Sequence, residues 1–346
     1  MHSFKRTLLK ALAFILAVLL VTAAIVEPYY QNEIYHYQDA HVRDQYAGSL
    51  DILVCGSSHA YRAVVPQVLD EALGCNSYNL ACSLMTMAGR YELLKKELER
   101  NPVELVILDI SFNCLTRNRD AEGPEGDLYQ LGRYTNPLER AAYFFKHIRL
   151  DEYGSVFYDS LNRGIQSIRS LRSGKGATGS SPKYETKGFA PAPHSQLEPL
   201  PAAQMHSFPL SEKRSEESAK YLEKILRLCQ SHNITVIPVV IPISQGRTLY
   251  CSNLDSVMAD CQSFLEEWGL PLYDFNLYRG KTQLFPDTDA YYDAIHMSES
   301  GAYAFTEALT DLILRLENGE NVSHLFYSSY AEAEEAALAG LDTPAQ

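Results

Sequence analysis

The chain has 346 residues, room for one large α/β domain with decoration or for two smaller ones. Hydrophobic residues make up 46%, enough for a substantial core. The 43 acidic and 30 basic residues leave a net charge of −13, which argues against a general nucleic-acid binder and against adsorption to anionic lipid through charge.

Lys5, Arg6 and Lys10 precede an uncharged run from Ala11 to Val26, with Leu8 and Leu9 extending it. As a helix the run nearly spans a hydrocarbon core of about 30 Å. Basic residues before it predict a cytoplasmic N-terminus, with the rest outside a plasma membrane crossed once. Tyr29 and Tyr30 sit where an interfacial aromatic belt would. An uncleaved anchor over 1–28 is the expectation. The small residues Thr22, Ala23 and Ala24 keep a cleaved signal peptide open, and a core helix of a cytosolic protein is a third reading.

Residues 29–50 are polar and Tyr-rich and read as a stalk. Strand and helix signals then alternate. Asp51–Cys55, Ser77–Cys82 and Val103–Ile110 read as strands, with helices over Pro66–Leu73 and Ala88–Arg100. The pattern breaks at about 114–214, an insertion rather than a second core. It holds helical pieces near Pro137–Ile148 and Ser155–Leu171, a flexible Ser/Gly stretch at Ser173–Pro182 and a Pro-rich stretch at Ala190–Ala203. A lid over a cleft is one role open to it. Alternation resumes with a helix at Glu216–His232, a strand at Ile234–Ile243, a helix at Leu254–Trp268, a short strand at Leu272–Phe275 and a closing helix at Ser298–Glu317. The α/β domain thus runs over 51–317. The acidic tail, 318–346, holds one more helix around Tyr330–Leu338 or is disordered. This order predicts an α/β fold whose central parallel sheet is covered on both faces, a three-layer α/β/α sandwich. Ligands in such sheets bind at the carboxyl ends of the strands.

The seven cysteines, Cys55, Cys75, Cys82, Cys114, Cys229, Cys251 and Cys261, include no Cys-x-x-Cys pair. A zinc cluster or dense disulfide framework is not expected. Most read as buried small hydrophobes. A Cys75–Cys82 or Cys251–Cys261 bridge is open to an exported domain.

Three loops that follow strands carry chemistry. Gly56-Ser57-Ser58-His59 comes directly after the first strand. Glycine lets the backbone turn sharply, and a serine there can face outward beside backbone N–H groups of the kind an oxyanion needs. A helix cap is the plainer role for either serine. His59 adjoins Ser58, and side chains of adjacent residues diverge, so His59 is a poor base for it. Asn113 follows the strand ending at Ile110 and can offer its amide to an oxyanion, or it is an ordinary turn residue. The loop Asn79–Ser83 is a further source of a donor but lacks a glycine. Asp293-Ala294-Ile295-His296 precedes the last helix. A carboxylate three residues before a histidine can fold back, hold one ring nitrogen and leave the other to take a proton from serine. None of the other histidines has an aspartate at that offset. There is no Gly-x-Ser-x-Gly elbow, His-Glu-x-x-His helix or Walker loop.

Together these loops resemble the SGNH (GDSL) hydrolase superfamily over about 51–113 and 216–316. Gly56-Ser57-Ser58 is similar to its first block, Gly-Asp-Ser, with Ser57 in place of the aspartate and Ser58 on the nucleophile position. Asp293-Ala294-Ile295-His296 is similar to its last block, Asp-x-x-His. Asn113 lies near the third-block asparagine, although neither Gly-x-Asn-Asp nor the second-block glycine is present. With the anchor, Ser57 makes the chain look more like the exported branch of DltD-like and alginate-acetylation-type proteins. The resemblance implies an SGNH/flavodoxin-like sheet and a catalytic triad of Ser58, Asp293 and His296. It also implies oxyanion donors from the Ser58 N–H and Asn113, with no metal or organic cofactor. It implies esterase or O-acyltransferase activity on acyl groups, acetyl first among them, of a surface glycan or polymer. A membrane-bound O-acyltransferase is the implied companion. A non-catalytic exported module that binds glycan or a partner in the same cleft is the alternative.

Overall fold

The computed structural model describes residues 2–32, 35–112, 114–116, 124–173 and 186–345. In chain order its first elements are α1 (His2–Asn32), α2 (Tyr35–Asp44), β1 (Ile52–Cys55), α3 (Ser58–Ala63), α4 (Pro66–Leu73), β2 (Ser77–Asn79), α5 (Met87–Leu98) and β3 (Leu105–Asp109). Next come α6 (Glu125–Leu131), α7 (Pro137–His147) and α8 (Tyr153–Arg172). The remainder holds α9 (Glu216–Ser231), β4 (Thr235–Val240), α10 (Gln245–Tyr250), α11 (Leu254–Glu266), β5 (Tyr273–Asp274), α12 (Lys281–Leu284), α13 (Glu299–Glu317) and α14 (Tyr330–Leu338). The chain divides into two compact units, Met1–His41 with Asp127–Ser181, and Val42–Gly126 with Pro182–Gln346.

The first unit is helical. Phe4–Gln31 is one helix long and apolar enough to cross a membrane. Its apolar side chains from Phe4 to Val21 are exposed. Towards its end it packs on α8, where a Cβ at Gly164 would meet the Ile25 carbonyl at 2.1 Å, so only glycine allows this approach. Tyr29, Tyr30, Leu128, Leu131, Tyr134 and Tyr143 bury against one another there. Within 29–50, read as a stalk, residues 29–32 complete α1 and 35–44 form α2. The expected insertion divides as well: 127–173 belongs with the N-terminal helices, and 186–214 with the second unit. The expected Ser/Gly stretch lies almost wholly outside the described residues.

The second unit is built on a five-stranded parallel sheet in the order β2-β1-β3-β4-β5. Every residue of β1 and β3 is buried, the pattern of strands covered on both faces. Ile52, Val54, Ile107 and Val239 pack in one cluster with Phe305, Leu309 and Leu312 of α13. Alternate residues, Leu53, Val106 and Leu108, are fully buried as well, so helices flank the sheet on both sides. Each such side chain contributes roughly 1.5–3 kcal/mol by leaving water. The helix starts are written locally: Thr86, Ser215 and Ser298 each accept a backbone N–H of the following first turn. Gly74, left-handed at φ +64°, ends α4. The tail is ordered. Beyond α14, buried Asp342 accepts from the N–H groups of Gly280 and Thr282 and from the Tyr327 hydroxyl.

The strand order reverses direction between β1 and β3. In open parallel sheets a crevice forms at that switch point, at the carboxyl ends of the strands. Gly56 and Ile110 begin the loops there.

Candidate active site

β1 delivers the chain into a turn that only glycine can make. A Cβ on Gly56 would lie 2.4 Å from Ala60 Cβ and 2.8 Å from Asp109 Cβ. Ser57 takes the N-cap position of α3 but makes no side-chain cap bond. It gives both its N–H, at 3.1 Å, and its hydroxyl, at 3.0 Å, to Asp109 Oδ2 at the end of β3. Ser58 is then the first residue of α3. Its N–H has no helical carbonyl to bond, which suits it to receive negative charge.

The histidine comes from the loop before α13. Tyr292 N–H donates to the His296 carbonyl at 2.9 Å, closing a tight turn. Inside it, Asp293 Oδ1 accepts the N–H groups of Ile295 and His296, each at 2.9 Å. Asp293 Oδ2 lies 2.8 Å from His296 Nδ1. The loop is held from below: the Tyr291 hydroxyl donates to the Ile243 carbonyl at 3.0 Å and Ser244 N–H to the Ala294 carbonyl at 3.1 Å. His296 Nε2 thereby stands 2.8 Å from Ser58 Oγ, across 238 residues of chain. The tautomer that satisfies both contacts carries its proton on Nδ1, donated to Asp293, and accepts the Ser58 hydroxyl proton at Nε2. Burial pushes the Asp293 carboxyl up, but the hydrogen bonds from the His296 ring and the Ile295 N–H outweigh it and hold it below its ordinary value.

The structure therefore brings Ser58, His296 and Asp293 together in a hydrogen-bonded line from hydroxyl through imidazole to carboxylate. His59 packs its ring edge-on to that of His296, with centroids 5.3 Å apart. Asn113 lies outside the described residues. Asn79 cannot serve as a donor to substrate, because its amide is committed to the carbonyls of Ala60 and Val64, each at 2.9 Å. The loop after β2 still reaches the site, with Cys82 N–H donating to the Gly56 carbonyl at 3.3 Å.

Sequence reasoning missed the pair beneath the Gly56–Ser58 turn. Asp109 and Arg90 are both buried. The guanidinium donates to the Asp109 carbonyl at 2.5 Å and lies 3.7 Å from its carboxylate. The available signal is an aspartate closing an otherwise apolar strand, Leu105–Asp109.

All seven cysteines are free thiols, so neither the Cys75–Cys82 nor the Cys251–Cys261 bridge forms. Cys75 Sγ instead donates to Leu69 O and Asp70 Oδ1, while the other six are buried as small hydrophobes. Among the described residues no group of three or more His, Cys, Asp or Glu side chains is placed to hold a metal ion. A cleft of about 660 Å³ opens at the amino ends of the strands, lined by Asp51, Glu104, Thr235 and Tyr273, away from the Ser58–His296 contact.

Compared with protein-family models the chain gives no match, and none is found among curated proteins.

Proposed function

We propose that the chain is an exported serine esterase or O-acyltransferase of the SGNH type. One observation carries this reading: Ser58 Oγ, His296 and Asp293 form a hydrogen-bonded line with 2.8 Å at each of its two links. His296 takes the Ser58 proton as Oγ attacks an ester carbonyl, and Asp293 stabilises the imidazolium that forms. The imidazolium then returns the proton to the departing alkoxide, leaving an acyl-Ser58. Water or a sugar hydroxyl, deprotonated by His296, releases the acyl group. The Ser58 N–H, with Asn113 as a second donor, is assigned to the oxyanion. On this reading the domain is a three-layer α/β/α sandwich. α1 is an uncleaved anchor with a cytoplasmic N-terminus, and the acceptor is a surface glycan or polymer, with a membrane-bound O-acyltransferase as companion. Labelling with a serine-reactive fluorophosphonate tests it. The wild-type chain is expected to label and Ser58→Ala not to; equal labelling removes the nucleophile assignment.

A second reading, a non-catalytic glycan- or partner-binding module, is favoured by Asn79. At the end of β2 its amide, a side-chain donor in the Asn79–Ser83 loop, is spent on the backbone carbonyls of Ala60 and Val64. Turnover of a simple acetyl ester that is abolished by His296→Ala excludes this reading.

A further inference from the structure

In the helical unit, α7 is an amphipathic helix turned inside out. Leu138, Ala141, Ala142 and Phe145 recur at helical spacing along its exposed side, with Leu138 and Phe145 79% and 69% exposed. Its buried residues are Arg140 and Tyr143. Both are satisfied inward. Arg140 donates to Glu27 Oε2 of α1 at 2.5 Å and to the Tyr134 carbonyl at 3.0 Å, and the Tyr143 hydroxyl donates to Asp127 Oδ1 at 2.8 Å. The helix cannot roll its apolar stripe inward without breaking that ion pair, so the stripe is fixed in the open. Two more large side chains lie open beyond it: Leu150, in the turn to α8, is 82% exposed, and Tyr158 of α8 is 65% exposed.

A groove of about 320 Å³ borders this surface. One wall is α1, from Leu19 to Tyr30, and the other is made by Pro137, Phe144 and Phe145 of α7 with Phe157 of α8. Leu19 belongs to the exposed apolar stretch of α1, so the groove continues the surface that a membrane-crossing helix gives to acyl chains. The surrounding charge suits lipid phosphates. The chain is acidic overall, yet the exposed charges of α7, α8 and the turn between them are five basic residues, from Lys146 to Arg172, against Asp151 and Asp159. An apolar stripe flanked by basic residues is the pattern of a helix lying in the plane of a membrane surface. We infer that α7, the turn after it and the first turns of α8 lie in the headgroup layer of a phospholipid bilayer, with lipid acyl chains filling the groove. α1 is then one of two attachments. The inference rests on the reading of α1 as an anchor and on no step of the acyl transfer.

The test is fluorescence quenching by bromolipids, with the full chain reconstituted in phosphatidylcholine vesicles. The one tryptophan, Trp268, is replaced by Phe, and three exposed positions are then changed singly: Leu16→Trp in α1, Phe145→Trp in α7 and Leu150→Trp in the turn. An interfacial helix buries its apolar side about 5–10 Å into the boundary between headgroups and chains. Emission from the Phe145→Trp and Leu150→Trp chains is therefore expected to be lost to lipid brominated near the headgroup end of its chains more than to lipid brominated near the chain ends. Leu16→Trp, in mid-span, is expected to show the reverse order. Unquenched emission from the Phe145→Trp and Leu150→Trp chains, beside a quenched Leu16→Trp, overturns the docking and leaves the anchor. If that unquenched emission is also shifted to the blue, a protein surface such as a second copy covers the stripe instead. Quenching of Phe145→Trp and Leu150→Trp without quenching of Leu16→Trp keeps the docking and removes the span.

Discussion

Asp109 accepts both hydrogen bonds that Ser57 can donate, through one carboxylate oxygen, at 3.1 Å from the N–H and 3.0 Å from the hydroxyl. The end of β3 therefore sets the backbone that carries Ser58. The arrangement is electrostatically costly to disturb, since Asp109 is fully buried and its counter-charge Arg90 nearly so. Asp109→Asn keeps the size but leaves the guanidinium without its anion. Breaking one side of such a pair costs about 3 kcal/mol or more. Urea unfolding should show that loss, and fluorophosphonate labelling of Ser58 should slow in the fraction that remains folded. An unchanged labelling rate would mean that Asp109 supports the fold and not the geometry of the nucleophile.

Gly56 is subject to the same crowding. An added methyl group would meet Ala60 Cβ at 2.4 Å and Asp109 Cβ at 2.8 Å, neither at the end of a flexible side chain. Gly56→Ala must push α3 away from β3, at about 1–3 kcal/mol. It should also lengthen the Ser58–His296 contact, so labelling is expected to fall together with the melting temperature. Gly154→Ala, in a helix where a Cβ meets nothing within 4 Å, is the control expected to leave labelling unchanged and the melting temperature no lower.

Asp293 makes a prediction about acid. Its folded carboxyl titrates below its ordinary value of 3.8, with burial opposed and outweighed by the hydrogen bonds it accepts. A depressed carboxylate lends stability that is fully present above the unfolded value and is lost as pH falls through the folded one. The stability gap between wild type and Asp293→Asn should thus stay constant above about pH 4 and narrow below it. Denaturant midpoints at intervals from pH 3 to 6 are the measurement, and a gap that narrows already between pH 6 and 5 contradicts it. On the proposed chemistry the Asn variant also loses about 10⁴-fold in turnover, because an amide no longer fixes the Nδ1–H tautomer.

The strands and the principal helices of the α/β unit were legible because their signals are local. Asp51–Cys55 and Val103–Ile110 are apolar runs, and Ser298 announces the last helix with a hydroxyl that does cap it. Ser58, Asp293 and His296 were legible as residues following strands or preceding a helix, although the 2.8 Å between Ser58 and His296 depends on loops held by Tyr291 and Ser244. What stayed hidden depends on pairing across long separations. Nothing near Asp109 in sequence marks it as the acceptor for Ser57, 52 residues away. The division of the insertion was hidden for the same reason. Gly164 in α8 reads as an unremarkable helix glycine until the Ile25 carbonyl is seen against it.

Lys281 gives the last prediction. It is 3% exposed, its ammonium donating to Thr248 Oγ1 at 2.9 Å and Gln245 Oε1 at 3.4 Å. Burial drives its pKa down from 10.5 to about 8, against the pull of Asp287, Asp274 and Asp342. Below pH 8 folded and unfolded chains both hold the proton, and the folded state bears the whole cost of a buried cation. Between about pH 8 and the ordinary 10.5 the unfolded chain keeps a proton that the folded chain has released, so stability rises with pH. The full rise is about 3 kcal/mol, and above the ordinary value it levels off. Lys281→Met removes the titration, leaving Thr248 and Gln245 to each other or to solvent. Urea midpoints of the two proteins from pH 7 to 10 should therefore show the wild type gaining on the variant only from about pH 8 upward. A difference that stays flat across that range would mean that the ammonium keeps its ordinary affinity for protons, and with it enough solvent contact to contradict the burial of Lys281 beneath α10.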